Sequence, residues 1–405
     1  PEQGKDYLLS FEGIDTIADI YLNGSWIART ENMLMEHILE IEGDRFRTGE
    51  NELFVHIIPV SLEARKYDNP LFQNGLKYEM DSLNIRKSPY MFGWDIFPRM
   101  LSGGIWRSVT LTEKPQYAFL QSYLFTRNIE KDYSKCELEY FFEMELNDLP
   151  YHGFEIEVEG SCGTSRFLKK WDVWSKAGHF CFEVPSPALW WPRRTGEPNL
   201  YQVEARLVRN GEVYARKNFR FGIRTVELKK TSLTDEDGNG EFCFRVNHRK
   251  IFILGTNWVP LDSLPSRGRE RIDPSLELVT DLNCNMVRCW GGGYYEDNYF
   301  YDRCDELGIL VWQDFMEACG LYPENREFLQ SFEEEVTYQV RRLRQHPCIA
   351  LWSGDNENDS CYGWSTNYRL DPNQNLNTRA VIPQVLRMND YIRDYLPSSP
   401  YMDET

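Results

Sequence analysis

Residues 348–358 read Cys348-Ile349-Ala350-Leu351-Trp352-Ser353-Gly354-Asp355-Asn356-Glu357-Asn358, an apolar run that stops abruptly in polar and acidic residues. A short continuous apolar run is what a strand covered on both faces requires. The packet that follows it places Asn356 and Glu357 at the strand's C-terminal tip. Upstream, the same grammar repeats. Lys250–Gly255 reads as a first covered strand, and Asp273-Pro274 as an N-cap followed by a helix carrying Leu276, Val279 and Leu282 on one side. Met286–Trp290 reads as a second strand, followed by a helix from about Glu296 to Gly308, and Ile309–Trp312 reads as a third strand. The longest helix carries Phe328, Phe332, Val336, Val340 and Leu343 and stops before Pro347. Strand and helix in alternation predict a parallel sheet of the (β/α)8 barrel kind, with its site at the C-terminal strand ends. Only about half of such a barrel fits before Thr405.

The earlier sequence has a different period. From Tyr7 to about residue 113, short strands (Tyr7–Phe11, Ile14–Tyr21, His37–Ile41, Asn51–Ile58) alternate with turns, and Asn23-Gly24 predicts a tight hairpin. This is a jelly-roll or β-sandwich pattern, and its first strands are expected to lie before Pro1. From residue 114 to 223, six strands without intervening helix predict an immunoglobulin-like sandwich. They are Ala118–Phe125, Cys136–Leu146, Gly153–Glu159, His179–Val184, Tyr201–Arg209 and Glu212–Phe219. The expected organisation is multidomain β followed by α/β, with units 1–113, 114–223 and 224–405.

Composition narrows the partner. A net charge of −18 speaks against nucleic acid, and 14% aromatic content suits both β cores and surfaces that stack on sugars. No run of about 18 apolar residues offers a membrane span, and residues 1–5 carry no basic-then-apolar leader. The ten cysteines lack paired metal spacing and sit mostly in apolar runs, so buried free thiols are expected, with neither zinc nor disulfides. Compartment and oligomeric state are not legible.

Seven stretches carry a more specific likeness. They are Phe92-Gly93-Trp94-Asp95 with Pro98-Arg99; Gly104-Ile105-Trp106-Arg107; Leu189-Trp190-Trp191-Pro192; Gly255-Thr256-Asn257-Trp258-Val259-Pro260; Arg288-Cys289-Trp290-Gly291-Gly292-Gly293; Trp312-Gln313-Asp314-Phe315-Met316; and Gly354-Asp355-Asn356-Glu357-Asn358. In that order they resemble glycoside hydrolase family 2, in its β-mannosidase branch, over essentially the whole chain.

The resemblance implies a retaining exo-β-glycosidase acting on terminal β-mannose of an oligosaccharide or glycoconjugate, with no cofactor and no metal. It makes Glu357 the general acid/base and Asn356 the ligand of the sugar's 2-hydroxyl. It puts Trp290 under the first sugar, with Arg288 holding a catalytic carboxylate. Trp94 and Asp95 become a loop that reaches from the N-terminal domain into the site. Trp258, Asp262, Gln313, Asp314 and Trp364 are further candidates for the pocket wall.

The chain departs from the branch at three points. The loop reads Gly93-Trp94-Asp95-Ile96-Phe97-Pro98 where the branch has Gly-Trp-Asp-Trp-Gly-Pro, and Asp355 stands where Asn is customary, adding a negative charge beside Glu357. The family's nucleophile, a Glu on a later barrel strand, is absent, so the isolated chain is expected to be inactive. Two alternatives stay open: exo-β-glucosaminidase or another family 2 β-glycosidase, and a non-catalytic carbohydrate-binding or scaffold fragment.

Overall fold

The computed structural model describes residues 4–67, 81–146, 150–231, 240–364 and 370–402; for Trp364 the description covers the backbone only. The N-terminal unit packs two three-stranded antiparallel sheets face to face. One joins His37–Ile41, Tyr7–Phe11 and Val109–Glu113; the other joins Ser25–Thr30, Ile17–Leu22 and Leu53–Ile58. Alternating residues such as Leu9 and Phe11 on one sheet, and Ala18, Ile20 and Leu22 on the other, fill the space between them. Asn23 and Gly24 both take left-handed backbone (φ 53° and 84°), as their hairpin requires.

The second unit is a seven-stranded sandwich of a three-stranded and a four-stranded antiparallel sheet. Six of its strands follow the alternation in the sequence. The seventh, Ser165–Asp172, is mostly exposed and therefore carries little hydrophobic pattern to read.

The third unit opens differently from expectation. Arg249–Ile251 does not start the parallel sheet. It closes an antiparallel trio with Val226–Lys230 and Phe242–Val246. Asn247 and His248, both left-handed (φ 47° and 68°), make the turn, and Phe252 beyond it is 81% exposed. Val226, Leu228, Phe244, Val246 and Ile251 join Met286, Leu310 and Leu351 in one cluster, so the trio packs against the inward-facing strand residues.

The parallel sheet is β1 (Gly255–Trp258), β2 (Met286–Cys289), β3 (Leu310–Asp314), β4 (Ile349–Ser353) and β5 (Tyr395–Leu396), in sequential order. Helices α1 (Ile272–Asp281), α2 (Asn298–Leu307) and α3 (Arg326–Leu343) link the first four strands. Asp273 and Pro274 lie inside α1, whose N-cap is Arg271, and Leu282 at its end is 72% exposed, so only Leu276 and Val279 of the expected stripe are buried. Asp297 caps α2 through the Phe300 amide and Asn325 caps α3 through the Phe328 amide.

The N-terminal unit is fastened to the barrel by a buried ion pair. Arg86 donates twice to Glu335 of α3 (2.7 and 2.9 Å) and once to the Met316 carbonyl beyond β3 (3.1 Å). Asn32 (2.8 Å) and Tyr295 (3.1 Å) complete the ring of donors around Glu335. Without this ring a buried carboxylate would be costly.

Candidate active site

Register decides which strand residues face the site. Trp258, Cys289, Gln313 and Trp352 form one cross-strand row, and Asn257, Arg288, Trp312 and Leu351 the next. The first row points into the helical layer. Trp258 is buried against Phe300 of α2 (4.7 Å between ring centroids) and donates to Glu296 (3.0 Å). Gln313 is fully buried, accepts from Tyr301 (2.7 Å) and donates to its neighbour's carbonyl. Both were expected on the pocket wall. Strand alternation turns them to the other face.

The second row and the strand ends build the site. Asp314, at the end of β3, is fully buried and accepts from Arg288 (2.7 and 3.3 Å), the Gly291 amide (3.0 Å) and the Trp312 indole (3.0 Å). Burial pushes its carboxyl up and the Arg288 guanidinium opposes that shift. The same Arg288 donates to Asn356 Oδ1 (3.1 Å). Arg288 was expected on a catalytic carboxylate; among the described residues its side chain hydrogen-bonds Asp314 and Asn356. Asp262, another wall candidate, pairs with Arg271 (3.0 Å) and caps the Leu264 amide. Trp364 lies outside the described side chains.

Beyond β3 and β4 the two loops continue to pair. Ala318 and Asn356 form a parallel bridge, Asn356 N–H donates to the Glu317 carbonyl (3.0 Å), and Cys319 N–H donates to the Asn356 carbonyl (2.8 Å). Glu357 follows with φ 63° and Cys319 faces it with φ 47°, a region that non-glycine residues adopt at a cost of about 1 kcal/mol or more. Their side chains meet: Cys319 Sγ lies 3.2 Å from Glu357 Oε2 and 3.4 Å from Asn356 Nδ2. Asn358, the next residue, starts the short helix α4 (Asn358–Trp364) and is fully buried.

Two buried carboxyls lie behind this rim. Glu317 accepts from Asn358 (3.2 Å) and Asn377 (2.9 Å), and Asp355 accepts from Ser398 and the Asn358 amide (3.1 Å). Burial pushes both well above the usual carboxylate range. The extra charge expected from Asp355 therefore sits on a group that burial drives toward its neutral form.

The N-terminal unit reaches the same end of the sheet. Trp94 meets Trp290 edge to face at 4.9 Å, and the Tyr90 amide donates to the Gly292 carbonyl (2.9 Å). Trp290 itself is 8% exposed. Asp95 stands exposed at the tip of a turn closed by Trp94 and Phe97 (2.9 and 3.3 Å). Arg99, four residues beyond Asp95, binds Asp81 (3.0 Å) and the Phe92 carbonyl (3.0 Å). Gly291 admits this crowding, because a Cβ there would stand 2.5 Å from the Glu317 carbonyl oxygen and 2.9 Å from that of Phe315.

A cluster that could hold a cation, Asp302, Asp305 and His346, lies on the opposite, helical side. Arg220 binds Asp302 (2.7 Å), while Asp305 takes His346 (2.7 Å) and the Cys348 amide (2.9 Å), so the cluster pins helix to strand.

Three family descriptions match in series: "Glycosyl hydrolase 2 galactose-binding domain-like" over residues 1–107, "Glycosyl hydrolases family 2" over 129–224, and "Glycosyl hydrolases family 2, TIM barrel domain" over 240–382. The chain belongs to glycosyl hydrolase family 2. Among family 2 relatives, Beta-mannosidase B of Aspergillus clavatus is 36% identical over 362 residues, covering 87% of this chain and 42% of its own. That of Aspergillus fumigatus is 35% identical over 426 residues, covering 99% and 49%. The crystal structure of Beta-D-Mannosidase from Dictyoglomus thermophilum superposes with a TM-score of 0.87 at 33% identity, covering 99% of this chain and 49% of that one. The chain thus spans about half the length of the curated relatives it matches.

Cys319 and Glu317 join this rim without a mark in the local sequence pattern. Cys319 is only partly buried, not the buried free thiol expected, and its place five residues beyond Asp314, in a C-terminal strand-end loop, is the available signal.

Proposed function

We propose that the complete protein is a retaining exo-β-glycosidase that releases terminal β-D-mannose from an oligosaccharide or glycoconjugate. The observation that carries this reading is the Asn356-Glu357 pair at the tip of β4, with the Asn356 amide oriented by Arg288 and Asp314. Glu357 protonates the leaving oxygen and later deprotonates the attacking water. Asn356, its Oδ1 held by Arg288, offers Nδ2 to the sugar's 2-hydroxyl, a contact that strengthens as positive charge develops on the ring. Trp290 and Trp94 form the aromatic floor and corner of the sugar pocket, and Asp95 binds hydroxyls of the non-reducing end. A loop closing that end favours exo action. A retaining mechanism also needs a second carboxylate about 5 Å from the first, which the complete protein must supply. The names of the Aspergillus and Dictyoglomus relatives support mannose as the sugar.

The test is hydrolysis of aryl β-D-mannoside, β-D-glucoside and β-D-glucosaminide by the complete protein. Preference for mannoside by tenfold or more, about 1.4 kcal/mol in the transition state, is expected. A larger kcat/KM for glucosaminide would replace mannose in the proposal, and no turnover of any of the three would sink it.

A further inference from the structure

We propose that Cys319 is a positioning residue of the acid/base, its thiol donating to Glu357 Oε2 so that the catalytic proton is carried on Oε1. This rests on the reading of Glu357 as the acid/base.

The polarity of the surrounding hydrogen bonds favours this direction. Arginine has only donors, so the Asn356 atom 3.1 Å from Arg288 is its carbonyl oxygen. Asn356 Nδ2 must then be the atom that faces Cys319 Sγ at 3.4 Å, and it can only donate. Asn356 thus occupies one of the sulfur's two lone pairs, and the thiol donates its hydrogen to Glu357 Oε2 at 3.2 Å. The series Asp314, Arg288, Asn356, Cys319, Glu357 is anchored at its buried end by a carboxylate that also accepts from Gly291 and Trp312.

A donor fixed on Oε2 has a chemical consequence. When Glu357 is protonated, Oε2 is the carbonyl-type acceptor and the proton resides on Oε1, the oxygen turned away from the thiol. When Glu357 is ionised, the same thiol stabilises the charge. The backbone supports this placement: both residues sit in left-handed conformation, and the Cys319 amide is tied to the Asn356 carbonyl at 2.8 Å. Such over-determined strain clusters where a side chain must be aimed.

The experiment compares Cys319→Ala, Cys319→Ser and Glu357→Gln in the complete protein, with aryl β-mannosides of good and poor leaving groups across pH. A thiol is a weak donor to a charged acceptor, so Cys319→Ala is expected to lower kcat about tenfold on the poor leaving group, and much less on the good one. KM should be little changed. Cys319→Ser, which keeps a donor at this position, restores kcat. If Cys319→Ala does not fold, Cys319→Gly, at home in left-handed backbone, replaces it. An unchanged leaving-group dependence in the donor-free variant, while Glu357→Gln still abolishes poor-leaving-group turnover, overturns the role of Cys319 alone. Unimpaired poor-leaving-group turnover in Glu357→Gln overturns the acid/base reading and this inference with it.

Discussion

Replacing Asp314 by Asn separates a residue that orients the site from one that touches sugar. The Oδ2 atom accepts from Arg288 at 2.7 Å and from the Gly291 amide at 3.0 Å, and Oδ1 accepts from Arg288 at 3.3 Å and Trp312 at 3.0 Å. An amide places two hydrogens against one of these pairs of donors and removes the charge that neutralises Arg288. Hydrogen bonds to a charged group contribute about 1.5–3 kcal/mol each, and breaking one side of a buried ion pair costs about 3–5 kcal/mol. Arg288 is one-fifth exposed, so water recovers part of its solvation and the low end applies, about 3 kcal/mol. The site suffers as well, because Arg288 no longer fixes Asn356; a misplacement of the order of 1 Å costs about a hundredfold in rate. The assays are urea unfolding and kcat/KM on aryl β-mannoside for Asp314→Asn, Arg288→Met and the double variant. Strongly non-additive losses are expected, since one interaction underlies both. Single losses below about 1 kcal/mol with wild-type turnover, or simple additivity, would refute the reasoning.

Two further perturbations address the walls of the site. Gly291→Ala drives a methyl into the Glu317 and Phe315 carbonyls and 3.2 Å from the Asn356 amide; overpacking of this kind costs about 1–3 kcal/mol, so a lowered melting temperature is expected together with reduced kcat, and a variant that loses neither contradicts the packing. Glu296 is buried behind Trp258, and burial pushes its carboxyl up to about 7, the Trp258 indole, Arg107 and Arg342 opposing the shift and Asp297 adding to it. An unfolded Glu titrates near about 4.3 and each pH unit of difference is worth about 1.4 kcal/mol. Stability linked to this group is therefore intact below that pH and lost as pH rises toward 7. Glu296→Gln, which keeps an acceptor for Trp258, should gain up to about 3 kcal/mol over the parent between about pH 4.5 and 7.5; a pH-independent difference in urea unfolding would contradict it.

The order of domains and the strand tip carrying Asn356-Glu357 were legible because long periodic segments and abrupt polar endings leave strong local marks. The start of the parallel sheet was not. Lys250–Leu254 is as apolar as a covered strand, but the left-handed turn at Asn247-His248 assigns its first part to an antiparallel trio and shifts β1 to Gly255–Trp258. That shift also explains Trp258, which lines up with Cys289 and Gln313 in the helix-facing row. Side-chain facing within short, fully buried parallel strands has no polar alternation to announce it. Ser165–Asp172 escaped for the opposite reason, being too exposed to show a pattern. The role of Cys319 depends on a loop-to-loop contact across 38 residues of sequence, which no local rule encodes.

The central claim is that Glu357 is the proton donor. In the complete protein, Glu357→Gln should lower turnover of an aryl β-mannoside with a poor leaving group by about 100-fold or more, while an activated leaving group, which departs without a proton, is cleaved to its glycosyl-enzyme at close to the parent rate. Equal losses on both substrates, or none on the poor one, would contradict the assignment.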